Sequence, residues 1–65
     1  MTLFSFTYFD RSCYKHVLEI QKTYRETYVV RVDDEFYASS ETRAAAFDEI
    51  ADVIKANHWS AYCPI

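Results

Sequence analysis

The sequence predicts an α+β fold in which an antiparallel sheet of three to four strands carries one C-terminal amphipathic helix on one face. Three observations lead there. Two stretches alternate apolar and polar residues with a period of two, and one later stretch repeats apolar residues at helical spacing. The third is size: 65 residues without an internal linker, repeat or low-complexity tract make a single domain, residues 1–65.

In residues 3–9, Phe4, Phe6 and Tyr8 fall on one side and Ser5 and Thr7 on the other, the pattern of a half-buried strand with an aromatic inner face. Segment 14–22 reads two ways. As a strand it turns His16, Leu18 and Ile20 inward; as a helix it aligns Tyr14, Val17, Leu18 and Gln21, with Asp10 or Ser12 as cap. The strand reading is preferred because it pairs with 26–32 across the short Thr23-Tyr24-Arg25 connection. In that next run Tyr28, Val30 and Val32 share a face and β-branched residues dominate. Asp33-Asp34-Glu35 then interrupts the apolar residues before Phe36 and Ala38 resume them, which predicts a hairpin. The chain contains no Gly, so Asp33 and Asp34 must supply the turn geometry; Asp tolerates the left-handed region better than most residues. Residues 41–57 form the clearest element: Ser40 or Thr42 can cap it, three consecutive Ala favour helix, and Asn57 offers a stop. Ala44, Phe47, Ile50, Ala51 and Ile54 make its predicted buried stripe. The tail residues Trp59, Tyr62 and Ile65 are expected to fold back over a sheet edge or the base of the core.

About four or five Gly would be ordinary at this length, and their absence removes P-loops and dinucleotide-binding turns. A domain this small buries only about 60% of its unfolded surface, too little for a deep substrate cleft, so no enzyme and no cofactor is expected. Net charge is −3 but unevenly placed. Residues 1–32 hold five basic and three acidic side chains; residues 33–57 hold two basic and seven acidic ones. Acidity argues against direct nucleic-acid binding and suits a protein or nucleoprotein partner with a basic surface. The opening MTLFSFTYFD has no basic n-region and reaches Asp10 after nine residues, so neither a leader nor a membrane span is predicted, and a cytoplasmic location follows as the expectation. Cys13 and Cys63 are then expected as reduced, partly buried thiols. A core this small is compatible with a monomer or a homodimer.

Four constellations are candidates for chemistry. Cys13, His16, His58 and Cys63 supply two short-spaced ligand pairs of the kind zinc takes, although the 41 intervening residues exceed those of a zinc finger. Cys13 with His16, or Cys63 with His58, has the elements of a nucleophilic dyad but lacks an orienting third group. Tyr37 and Val29 with Arg31 and Lys15 would give an aromatic, cationic sheet face suited to base stacking. The favoured site is acidic: Glu41, Asp48, Glu49 and Asp52 on the outer helix face, joined by Asp33, Asp34 and Glu35 of the turn, with Tyr37 as an aromatic contact.

From Tyr28 to Trp59, YVVRVDDEFYASSETRAAAFDEIADVIKANHW resembles the strand, turn, strand, capped-helix unit of small accessory proteins of bacteriophages and mobile elements. In size, acidity and aromatic content the chain is also similar to anti-CRISPR and other phage anti-defence proteins. The resemblance implies a non-enzymatic inhibitor that docks on and blocks a host nucleoprotein complex. It carries over no functional residue by motif.

Overall fold

Apolar alternation sorts the first forty residues into four strands: β1 (Thr2–Phe9), β2 (Lys15–Lys22), β3 (Tyr28–Val32) and β4 (Glu35–Ser40), followed by helix α1 (Arg43–Asn57). The structure, a computed structural model, describes residues 1–63. Each strand pairs antiparallel with its neighbour in sequence, giving the sheet order β1-β2-β3-β4. Segment 14–22 is therefore strand, held on both sides: Leu18 lies opposite Phe6 of β1 and opposite Val32 of β3. A residue paired at both edges has its backbone groups satisfied by the sheet, which leaves the helical alternative nothing to gain.

Leu18, Ile20 and Val30 are fully buried beneath Ala46, Ile50 and Val53 of α1, and Phe4, Phe6, Tyr8, Tyr28, Val32, Ile54 and Trp59 pack around them. Burial of each large aliphatic side chain contributes about 1.5–3 kcal/mol. The helix stripe differs from the predicted one: Ala44 and Ala51 are exposed, and burial follows 46, 50 and 53. Phe47 and Ile54 flank that stripe; Phe47 reaches β1, its ring 5.1 Å from Phe4 and 6.1 Å from Phe6. The bulky residues thus fill the gap beside the helix, while Ala46 lets the backbone approach the sheet.

Without Gly, the turns place Cys13, Glu26, Asp33, Asp34 and His58 at positive φ. The β1–β2 and β2–β3 connections are the same device used twice. In each, the first residue takes its N–H to the carbonyl four residues on (Asp10 to Tyr14, Thr23 to Thr27), and the left-handed fourth residue donates back (Cys13 to Asp10, Glu26 to Thr23). The first side chain also accepts from the backbone two and four residues ahead: Asp10 from Ser12 and Tyr14, Thr23 from Arg25 and Thr27. The β3–β4 turn bears out the role expected of Asp33 and Asp34, whose φ values of 52° and 67° are those of a type I′ hairpin.

Helix α1 starts two residues later than predicted. Thr42 caps it, its hydroxyl accepting from the Ala45 N–H, so Glu41 precedes the helix. Its end is a Schellman-type stop, with His58 in the left-handed position usually held by Gly and the Trp59 N–H returning to the Ile54 carbonyl. The tail then closes on the sheet edge: Phe9 and Ser60 exchange backbone hydrogen bonds of 2.7 and 2.8 Å. Of the tail residues expected over the core, Trp59 is half-buried against it, Tyr62 is 80% exposed and Ile65 lies outside the described residues. Cys13 and Cys63 form a disulfide, with Cα atoms 5.0 Å apart, which corrects the expectation of reduced thiols. The αL turn at Cys13 and the tail pairing at Ser60 bring the two sulfurs together. Among the described residues, no helix is long and apolar enough to cross a membrane.

Candidate functional site

His16 sits on the inner face of β2, near the end where the β1–β2 loop and the β3–β4 turn meet. Its Nδ1 lies 2.7 Å from Asp33 Oδ2 and its Nε2 3.0 Å from Asp10 Oδ2. Each carboxylate is oriented by backbone: Asp33 Oδ1 accepts from the Val17 N–H at 2.9 Å, and Asp10 Oδ1 from Ser12 and Tyr14. The imidazole stacks on Trp59, centroids 4.1 Å apart and planes within 8°. Two carboxylates on one ring favour the imidazolium, so the His16 pKa rises above its ordinary 6.5; the hydrogen bond to Asp33 contributes most, that to Asp10 next, and partial burial opposes them. For Asp10 the His16 hydrogen bond leads in lowering the pKa. For Asp33 partial burial, the largest single influence, pushes upward, but the hydrogen bonds from His16 and Val17 and the charge of His16 lower its pKa on balance.

Beside this cluster an open groove of about 290 Å³ runs between the β3–β4 hairpin and the C-terminal end of α1, lined by Val32, Asp33, Glu35, Phe36, Tyr37, Val53, Asn57 and Trp59. A bulge in β4 gives it its aromatic wall. Val30 lies opposite Ala38 and Arg31 opposite Phe36, so Tyr37 is the extra residue. Asn57 is held in place by its side-chain bond to the Val53 carbonyl.

The seven predicted carboxylates are divided between places. Asp33 and Glu35 border the groove, and Asp34 occupies the turn tip, its carbonyl accepting from the Arg31 guanidinium. Asp48 and Asp52 are exposed on α1 and Glu49 is half-buried. Glu41 lies before the helix start, whereas the groove borders the helix end; fifteen helical residues span about 22 Å. The strand register separates the predicted sheet-face group as well. Ser39 lies opposite Val29, Tyr37 lines the groove, and Arg31 is engaged by the turn.

The zinc candidates are not assembled as ligands. Both sulfurs are in the disulfide, His16 is held between carboxylates, and His58 caps the helix. The same bond removes the thiol from both proposed dyads. The sequence reading placed Asp33 in the turn and the acidic site but missed it, with Asp10 and Trp59, as a partner of His16. Asp10 was legible in part, since a hairpin loop from 10 to 14 folds Asp10 back toward His16; Trp59 depended on the tail path. No protein-family model matches the chain, and neither does any curated protein or solved structure.

Proposed function

We propose that the protein is a non-enzymatic interaction module that binds a partner with a basic surface. The observation that supports this most directly is its undischarged negative charge. Asp34, Glu35, Glu41, Asp48 and Asp52 are exposed, and the ion pairs among the described residues are those of His16 with Asp10 and Asp33. Carboxylates left without internal counter-charge are available to a partner and steer its approach. The chemistry of His16 supports the non-enzymatic part of this reading, because both ring nitrogens are committed to carboxylates and neither is left to accept a substrate proton.

A phage-encoded inhibitor docking on a host defence nucleoprotein is the specific form of this reading that the sequence resemblance suggests. Bacterial cytoplasm keeps thiols reduced, so this form of the reading requires the fold to hold with the Cys13–Cys63 bond open. Charge reversal tests the reading. Capture of partners from a bacterial lysate is expected to weaken as salt rises and to disappear for the Asp48→Lys/Asp52→Lys variant, with the circular dichroism spectrum unchanged. Capture that is indifferent to both salt and the double reversal would remove the helix face from the site.

A further inference from the structure

We infer that the groove between the β3–β4 hairpin and the end of α1 is a receptor for a single arginine side chain of a partner segment. The inference rests on the basic-partner reading above and adds the point of contact. Three aromatic residues, Phe36, Tyr37 and Trp59, line one opening together with the carboxylates of Asp33 and Glu35. Phe36 is 64% exposed and Tyr37 46%, an arrangement that leaves two large apolar rings in solvent beside negative charge. Aromatic faces attract cations through their quadrupole, most strongly where Trp takes part. Carboxylates beside them complete the complementarity with a group that is cationic, planar and apolar on its faces.

Guanidinium meets that description better than ammonium, since it stacks on rings and presents a fork of donors to a carboxylate. Glu35 is the carboxylate free to receive it: Asp33 already holds Val17 and His16 through its two oxygens, whereas Glu35 is tied to the sheet through its pairing with Val32 and its carboxylate makes no hydrogen bond or ion pair among the described residues. The volume, about 290 Å³, is at the low end of ligand-sized clefts, and the groove is open, so it accepts a side chain and does not enclose a nucleotide. One wall is pre-set: Trp59 is fixed by its stack on His16 and by its backbone bond to Ile54. A wall that needs no reordering loses less affinity to conformational entropy.

Trp59 is the only Trp in the chain, so its emission reports on the groove. The probe is a blocked alanine pentapeptide with one central arginine, compared with the same peptide carrying citrulline or lysine. The arginine peptide is expected to give a saturable change in Trp59 emission, with citrulline at least about tenfold weaker because the charge-assisted bond is lost, and lysine in between. Glu35→Gln is expected to weaken the arginine peptide by a similar factor at an unchanged melting temperature. Equal binding of the arginine and citrulline peptides, lysine binding as tightly as arginine, or no effect of Glu35→Gln would overturn the inference. If calorimetry detects arginine-peptide binding that leaves Trp59 emission unchanged and is lost in Asp48→Lys/Asp52→Lys, the groove is refuted and the basic-partner reading stands. If a deca-arginine peptide gives neither heat nor emission change, both are refuted.

Discussion

At the scale of single residues, His16 concentrates most of the molecule's electrostatics. Its raised pKa means that it stabilises the fold fully below its ordinary 6.5, and that this contribution is lost as pH rises through the higher folded value. Asp10 and Asp33 act in the opposite sense: their lowered values give stability above the ordinary 3.8 that is lost as pH falls through the folded values. Denaturation midpoints should therefore be flat between those two ordinary values and decline on either side. His16→Gln is expected to remove the alkaline decline, as followed by urea titrations across a pH series; a decline of the same size in that variant would assign it to another group. The triad was only half visible in the sequence. The strand reading of 14–22 faced His16 inward, but its partners depend on register. With Leu18 opposite Val32, β3 ends and Asp33 turns beside His16, and that pairing cannot be read from either segment alone.

At the scale of elements, the strands and the helix were legible because their apolar periods are regular and the tertiary contacts agree with them. The details that escaped were those in which one residue had to be chosen over a near equivalent. Thr42 takes the cap ahead of Ser40, and 46, 50 and 53 are buried ahead of 44 and 51, because β4 ends at Ser40 and thereby fixes how the helix is rotated onto the sheet. The loops carry a testable strain. Glu26 and Asp34 hold φ values of 61° and 67° without side-chain hydrogen bonds of their own among the described residues. A left-handed conformation costs a residue with a Cβ about 1–2 kcal/mol. Glu26→Gly and Asp34→Gly are each expected to stabilise the protein by about 0.5–1 kcal/mol, the relief being offset in part by the greater freedom of glycine. Equilibrium denaturation measures this directly; destabilisation by either change would show that the turn geometry is not strained.

At the scale of the whole molecule, the Cys13–Cys63 bond joins loop and tail across 50 residues of sequence. In the chain-entropy description a closure of that length is worth about 4 kcal/mol, comparable with the roughly 3–5 kcal/mol that a single small core supplies. Reduction is therefore expected to lower the urea midpoint sharply and to shift Trp59 emission toward that of solvent-exposed indole, with Cys13→Ser/Cys63→Ser reproducing both. A reduced protein that kept its midpoint would show that the sheet and helix suffice, and would permit a working life in a reducing compartment. Two cysteines near opposite ends of a chain too small for a large core were the available hint of this bond.

The glycine-free turns have one more consequence, which belongs to the chain before it folds. Each Gly replaced by another residue narrows the unfolded ensemble, by an amount worth about 0.4–1 kcal/mol. Four or five missing Gly, the number ordinary for this length, thus reduce the entropy lost on folding by a few kcal/mol. Five residues are held in the left-handed region at about 1–2 kcal/mol each, so the narrower unfolded ensemble offsets part of the cost of these turns, in states that no native contact reveals.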